Sequence, residues 1–492
     1  MHIIRQHTFD IDCLSKDVAK EIHAQLGTLL EQHYYPKLET MLNIYVPKGY
    51  SWNIDSLEFE LPKINFKNWK KELIEYLLDQ SEAFFKKNSP HLNHDNYSTE
   101  EKSGSGGRFI TESSNAETLL IMYLETGTLK VNPVSNHLNG LIMKVEITAH
   151  FIERLLEKFS LYPDTLVRWI FNIPSSFKDK VMSLLDSQSK LFFDVLKKTD
   201  SIKTLIHDSE NRKLWFEFLK WNEILCNRNT GISTQKGIHI IDASIKYWYI
   251  QSSELKEFIK QVNISVMNRN DSNPVGFTTN DIVSNPELKK IIAFFKIIDK
   301  ELSGNDQTDK TLINSNISSE KGKSLTDAEI FIDNAGLITL HPFIKTLFKK
   351  LGLIDNENWI NRNKHHKAVL LTQYLVNGQE TFFENELILN KILCGLPIEE
   401  VINTKIKLTK KDKEKCNSLL QAVTEHWKPM NKSTLRALQE TFLQRSGKLD
   451  ITANYELWVE EKGYDILLEQ LPWGINMIKT SWMEEYLICN WA

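Results

Sequence analysis

Cysteine is scarce in this sequence, and the few cysteines are scattered. Five stand among 492 residues, and no two form a C-x-x-C pair: Cys13, Cys226, Cys394, Cys416 and Cys489. An odd, dispersed set indicates neither a disulfide framework nor a zinc site, and unpaired thiols are typical of reducing compartments. The sequence therefore predicts a cytoplasmic protein, with no metal held by cysteine pairs.

Long apolar runs are absent as well. No uninterrupted apolar stretch approaches the roughly 18 residues that a membrane-spanning helix needs. The opening residues, MHIIRQHTFDIDCL, alternate charged and apolar side chains and lack the continuous apolar core of a secretory signal. We therefore expect no stable membrane insertion and no export by a signal peptide.

Neither sign of charge is in marked excess. The chain has 60 Lys plus Arg against 64 Asp plus Glu, which gives a formal charge of -4. The densest basic block, KLTKKDKEK at residues 407–415, includes acidic residues and is typical of a solvated helix face. This balance argues against nucleic acid as a partner.

Sequence signatures of nucleotide binding are incomplete. The glycine cluster GSGGR at residues 104–108 follows no apolar strand, so it reads as a linker. Residues 322–324, Gly-Lys-Ser, resemble the end of a phosphate-binding loop, but the glycine that this loop needs five residues earlier is Ile317. No cofactor is therefore predicted.

Catalytic and metal-binding patterns are missing too. His341, His365, His366 and Cys394 fall within one part of the chain, but adjacent histidines on a helix point to different faces and do not converge on a metal. G-x-S-x-G and H-E-x-x-H do not occur. We therefore predict a protein that binds rather than catalyses, with no catalytic, cofactor or metal residues.

What the sequence does contain is enough apolar surface for several cores, with 41% hydrophobic and 10% aromatic residues. The predicted fold class is mainly α: a multi-module helical protein with a small N-terminal α+β unit and a small C-terminal sheet. Polar, glycine-containing stretches suggest the boundaries. Five parts are predicted: an α+β unit at 1–90, a flexible linker at 91–116, a helical array at 117–302, a polar linker at 303–325, and a C-terminal helical module at 326–492.

Apolar spacing predicts the local elements. In the first part we expect a strand containing Ile3, Phe9 and Ile11, a helix from Ser15 to about residue 42, a second strand with alternating Leu57, Phe59 and Leu61, and a helix over 69–87.

Similar signals mark the later parts. Asn285 before Pro286 predicts a helix N-cap followed by a first-turn proline. Thr326 and Glu329 predict a capping box that opens the last module. The segments YELWVEEK and EYLICNW predict the terminal sheet.

Four C-terminal segments carry a resemblance to a known family. They are NAGLITLHPFIKTLFKKLGL at 334–353, LCGLP at 393–397, EHWK through LRALQETFLQRSGKL at 425–449, and LPWGINMIKTSWM at 471–483. In order and spacing they resemble the tape measure proteins of bacterial contractile injection systems. Weaker similarity includes YLETGTL at 123–129 and the N-terminal unit, so the resemblance extends along nearly the whole chain.

This resemblance implies an assembly protein rather than an enzyme. A tape measure protein lies in the lumen of the injection tube during assembly, sets the tube's length, and engages baseplate or spike proteins. The implied partners are tube, baseplate or spike proteins, and homo-oligomerisation stays open. The implied location is the bacterial cytoplasm, then the assembled particle. The alternative is a globular assembly chaperone or adaptor for tube, baseplate or cargo proteins, which the folded, aromatic-rich modules favour.

Six residues in these motifs are candidates for contact with a partner protein: Arg436, Gln444, Arg445, Trp473, Trp482 and Trp491. In STLRALQETFLQR the apolar residues form one helical stripe, so its polar residues are either ordinary surface side chains or partner contacts. Tryptophans at this density form either a compact core or anchors for another subunit, and composition alone does not separate the two.

Overall fold

The structure, a computed structural model, describes residues 4, 7–13, 15–46, 49–54, 56–89, 108–129, 138–185, 189–197, 205–228, 234–267, 285–304, 329–451 and 455–491. Contacts between residues group the chain into two compact units. The first is Met1–Thr118 with Met143–Glu146, and the second is Leu119–Ile142 with Ile147–Ala492. The five-part division stays a prediction, and residues 91–107 and 305–325 of its two linkers lie outside the described residues.

The first unit is built on three helices: α1 (Lys16–Leu29), α2 (Tyr35–Tyr45) and α3 (Trp69–Asn88). A π-helical turn, Leu30–Tyr34, joins α1 to α2 without a break. Ser15 begins α1 by accepting a hydrogen bond from the Val18 amide. Both predicted helices of this unit are therefore confirmed, and their apolar stripes form one core: Leu29, Leu30, Tyr34, Leu38, Trp69, Leu73, Leu77 and Phe85.

The strands of the first unit differ from the prediction. β1 (Tyr50–Asn53) pairs antiparallel with β2 (Arg108–Thr111), so the last residues of the predicted linker form a strand and the start of a helix. Residues 7–13 and 56–65 contain no strand. The alternation of Phe59 and Leu61 arises because an extended segment packs these side chains against the helical core without a strand partner.

The second unit begins with a helical array, in agreement with the predicted fold class. Two helices, α4 (Glu112–Thr126) and α5 (Leu138–Lys144), have most of their residues in this unit, while residues 112–118 and 143–144 are grouped with the first. The other helices described in the array are α6 (Ala149–Leu161), α7 (Pro163–Asn172), α8 (Ser175–Leu185), α9 (Ser189–Lys197), α10 (Ser209–Arg228), α11 (Thr234–Trp248), α12 (Ser252–Met267) and α13 (Pro286–Gly304). The Asn285 side chain accepts hydrogen bonds from the Glu287 and Leu288 amides at 3.0 and 3.3 Å, which confirms the predicted cap of α13. The buried Trp221 ring meets the rings of Phe159 and Trp169 edge-to-face, and the Phe159 and Trp169 rings are tilted at 60° to each other.

The C-terminal part of this unit combines short helices with a mixed sheet. In chain order it contains β3 (Glu329–Ile332), α14 (His341–Lys350), β4 (Ile354–Asp355), β5 (Asn358–Trp359), α15 (Arg362–Asn377), α16 (Ile388–Leu393), α17 (Lys410–His426), α18 (Leu435–Leu438), β6 (Gly447–Asp450), β7 (Tyr455–Val459), β8 (Met477–Ile478) and β9 (Leu487–Asn490). A 3₁₀ segment, Ala335–Leu340, precedes α14, and another, Asp465–Gln470, follows β7.

Five of these strands form one sheet in the order β3-β6-β7-β9-β8, in which only β7 and β9 are parallel. The predicted terminal sheet is therefore confirmed. Its buried side chains alternate along β6 and β9 with half-buried or exposed ones. The predicted capping box is wrong, because Glu329 is the first residue of β3 and pairs with Asp450, while Thr326 lies outside the described residues. A capping box occurs instead at Thr409 and Asp412, where α17 begins.

Candidate functional site

The C-terminal motif segments lie far apart in the sequence but pack against one another. Gly336, in segment 334–353, lies directly on the backbone of the segment 425–449. A Cβ atom at Gly336 would overlap the Phe442 carbonyl oxygen and lie 2.8 Å from the Leu443 Cα. Next to it, the Ala335 amide donates a hydrogen bond to the Arg445 carbonyl at 2.9 Å. A side chain at position 336 would therefore push the two segments apart.

The last segment, 471–483, closes over two of the others. The indole N–H of Trp473 donates to the Thr339 carbonyl at 2.9 Å, and its ring meets Phe343 edge-on at 4.9 Å. The Thr480 hydroxyl donates to the Leu393 carbonyl at 2.8 Å. Gly395 has a φ of 72°, and a Cβ there would overlap the Trp482 carbonyl. Gly336 and Gly395 are thus places of close backbone approach.

Trp482 is a half-buried member of a small aromatic cluster. Its indole N–H donates to the Glu357 carbonyl at 2.8 Å, and its ring lies 4.8 Å from that of Trp359 and 5.5 Å from that of Phe348. Both Trp473 and Trp482 keep part of their surface exposed. Their role in contacting a partner stays a prediction.

Arg445 and Trp491 have an internal role in this structure. The Arg445 side chain is fully buried, and its Nη1 and Nη2 donate to the two carboxylate oxygens of Asp465 at 2.9 and 2.6 Å. Trp491 is 4% exposed, donates to Asp465 Oδ2 at 3.0 Å, and stacks on the Arg445 guanidinium at 5.2 Å. Both side chains are therefore held by contacts within the chain. Their role in contacting a partner stays a prediction.

Arg436 and Gln444 remain at the surface. The Arg436 side chain is 82% exposed and pairs with Glu440 one helical turn away at 2.6 Å. Gln444 is exposed and donates through Nε2 to the Val376 carbonyl at 3.2 Å. The exposed Arg436–Glu440 ion pair contributes little to stability, so Arg436 can contact a partner at little cost. Arg436 and Gln444 both remain proposed contacts.

The Asp465 carboxyl leads to a prediction about pH. Burial raises its pKa, but hydrogen bonds from Arg445, the Lys462 amide and Trp491 outweigh burial, and the net pKa lies below the usual value. Such a group stabilises the fold above its unfolded pKa, near 3.9, and that stability disappears as pH falls through the folded pKa. We expect Asp465→Asn to cost about 2 kcal/mol at pH 6, through weaker bonds to the arginine.

That cost should shrink towards pH 3, because the wild-type carboxyl is then partly protonated. The measurement is the difference in urea midpoint between wild type and Asp465→Asn at the two pH values. Asp355→Asn, a change to an exposed carboxyl, is the control and should show little difference at either pH. If the difference in urea midpoint between wild type and Asp465→Asn stays constant with pH, the lowered pKa of the Asp465 carboxyl is contradicted.

A second buried charge cluster connects the helical array to the C-terminal part of the second unit. Glu384 is fully buried: its Oε2 accepts from Arg168 Nε at 3.1 Å and from Asn172 at 2.6 Å, and its Oε1 accepts from Lys391 at 2.9 Å. Arg168 and Lys391 are also fully buried. Sequence reasoning missed this cluster, although Arg168 within the apolar run DTLVRWIF was a signal for a buried cation.

The segment YLETGTL meets this cluster. Arg168 Nη1 donates to the Leu124 and Glu125 carbonyls at 2.5 and 3.2 Å, and its Nη2 donates to the Glu399 carbonyl at 2.5 Å. Gly127 adopts a φ of 75°, and a Cβ there would lie 3.0 Å from Glu384 Oε1. The buried cations are thus fully hydrogen-bonded to backbone and carboxylate, as burial of charge requires.

The histidines do not converge on a common point. His365 stacks on Trp359 at 4.0 Å and bonds the Cys394 carbonyl at 2.7 Å, and burial lowers its pKa to about 4. His366 accepts from the Asn403 amide at 3.4 Å, and His341 bonds the Ile338 carbonyl at 2.9 Å. Among the residues that the structure describes, no group of three or more His, Cys, Asp or Glu could hold a metal ion.

In the described ranges, no helix combines the length and the apolar character that crossing a bilayer requires.

Comparison with known proteins gives one match. A family model described as contractile injection system tape measure protein matches residues 1–491. No curated protein and no solved structure matches significantly. The match includes both compact units and every motif segment whose packing is described above.

Proposed function

Because this chain belongs to the contractile injection system tape measure protein family, we propose that it helps to set inner tube length and engages tube, baseplate or spike proteins during assembly. The observation that carries the proposal is the extent of the match, which includes residues 1–491 and thus both compact units. The family is one of structural components, and the proposed location is the cytoplasm followed by the assembled particle.

A second candidate, a globular assembly chaperone or adaptor, is favoured by a specific observation. The longest helices in the described residues, α3 and α10, have 20 residues each, and such a helix measures about 30 Å. A ruler made of roughly 300 helical residues in line would measure on the order of 450 Å. Extension of the second unit would also expose the Arg168–Glu384–Lys391 cluster and the aromatic core.

An insertion variant separates these candidates. It adds about 100 helix-forming residues between Gly304 and Glu329, outside the described elements. A ruler that measures by contour should lengthen the tube by about 150 Å.

Electron microscopy of purified particles gives tube lengths, and mass spectrometry shows whether the chain is present in them. Longer tubes that contain the chain would support length determination. Unchanged tube lengths with the chain absent from finished particles would support the chaperone. Normal tube lengths in cells without the gene would contradict length determination.

A further inference from the structure

An open groove of about 520 Å³ lies beside the buried Arg445 cluster in the second unit. Its apolar lining comes from one 3₁₀ segment and two residues that flank strands: Ile466 and Leu468 from the 3₁₀ segment, Ile475 before β8, and Trp491 after β9. Leu468, Ile475 and Trp491 are buried, whereas Ile466 is 65% exposed. The volume falls within the roughly 300–1,000 Å³ typical of ligand clefts.

The base of the groove is held rigidly. Asp465 is bound by both Arg445 nitrogens, by the Trp491 indole and by the Lys462 amide at 2.8 Å. These bonds fix the 3₁₀ segment relative to β9, because they join residues on both. A groove whose walls are already fixed loses little conformational entropy when it binds.

The charge along the groove is negative. Glu461 and Glu469 line it, and neither carboxylate has an ion-pair partner within the described part of the chain. The one lysine of the lining, Lys462, lies 3.6 Å from the Glu460 carboxylate. Both Asp465 oxygens are committed to Arg445. A cationic group entering the groove would therefore meet two uncompensated carboxylates next to an apolar surface.

We propose that this groove binds a short segment of a partner protein that places an apolar anchor side chain against Ile466 and Trp491 and flanking lysines or arginines beside Glu461 and Glu469. The apolar anchor follows from the exposed Ile466 and the apolar lining, and the basic flanks follow from charge complementarity. That the partner is a tube, baseplate or spike subunit rests on the proposed function. Arg445 and Trp491 then serve recognition as the fixed base of the groove.

The test uses the full chain and two synthetic amphipathic peptides with the same leucine pattern, one with lysines and one with glutamates at the polar positions. Fluorescence anisotropy at low salt should give at least about tenfold tighter binding of the lysine peptide, weakening as salt is added. Ile466→Asn, which removes the apolar side chain without adding charge, should weaken that binding about tenfold or more. Leu184→Asn, at a similarly exposed site (62%) in the same unit, should not.

Charge reversal at Glu461→Lys with Glu469→Lys should exchange the preference, so that the glutamate peptide binds more tightly. Glu414→Lys with Glu425→Lys makes the same change in net charge at exposed sites elsewhere and should leave the preference unchanged. Equal binding of both peptides, or equal effects of groove and control variants, would overturn the proposal.

A separate measurement tests whether the partner is a subunit of the injection particle. Ile466→Asn should reduce incorporation of the chain into particles or alter tube length. If the groove binds the lysine peptide but this variant assembles normally, the assignment to a particle subunit fails while the groove stands. Failure of the length-determination proposal leaves the peptide measurements unaffected.

Discussion

Replacing Gly336 with alanine should destabilise the C-terminal part of the second unit by about 3–5 kcal/mol, a large fraction of the stability of a typical domain. The added methyl group would overlap the Phe442 carbonyl oxygen and lie 2.6 Å from its carbonyl carbon. Relief by side-chain rotation is impossible because the obstacle is backbone. The segments 334–353 and 425–449 must then separate, which opens the core that both line.

Hydrogen exchange followed by mass spectrometry measures this effect locally, which matters because two compact units need not unfold together. Peptides from 336–350 and 438–449 should lose protection in Gly336→Ala. Gly474→Ala is the matched control: nothing lies within 4 Å of a Cβ at that position, so protection should change little. Retained protection in Gly336→Ala would show that the two backbones are not in close contact.

Replacing Glu384 with glutamine should cost about 3–5 kcal/mol, because it leaves two fully buried cations without their counter-charge. Glutamine has nearly the same shape, so the loss reports charge rather than packing. Urea titration monitored by hydrogen exchange of residues 384–393 measures the change in the free energy of unfolding. The exposed Lys410–Glu414 pair, at 3.8 Å, supplies the control, and Glu414→Gln should change the free energy of unfolding by at most about 0.5 kcal/mol.

Two further measurements test the electrostatic origin of that loss. Lys391→Met combined with Glu384→Gln should be more stable than Glu384→Gln alone, because one uncompensated buried cation is gone. Burial already lowers the pKa of Lys391. In Glu384→Gln the folded state therefore releases this proton more readily than the unfolded state does, so the variant should gain stability as pH rises. If the loss of stability in Glu384→Gln is the same with and without Lys391→Met and at every pH, packing rather than charge causes it.

The helices were the elements best predicted from the sequence, because the signals that specify them come from neighbouring residues. The stripe that includes Leu73 and Leu77 repeats at helical spacing, and the caps at Ser15 and Asn285 involve neighbouring residues only. Strands need partners from distant segments. The alternation of Phe59 and Leu61 therefore predicted a strand that does not exist, and Glu329 suggested a helix where a strand pairs with Asp450.

The candidate contact residues show the same division. Arg436 and Arg445 stand nine positions apart in one motif and are equally basic, yet one is exposed and the other is fully buried against Asp465. Nothing in their spacing separates them, because the burial of Arg445 depends on Asp465 and Trp491, which come from later elements of the chain. The same is true of Glu384, whose partner Arg168 lies 216 residues away.

By itself the sequence determined the fold class, most helices, the terminal sheet and the family. Periodicity and helix caps depend on residues close together in the chain, and the order of the motifs can be read directly from the sequence. Only the tertiary structure decided which motif residues are internal. It turned Gly336 and Gly395 into points of close backbone approach, placed Arg168 and Arg445 in buried networks, and formed the acidic groove beside Trp491. The physical reason is that burial, charge pairing and steric contact join residues that are distant in sequence, and no local pattern encodes which of them will meet.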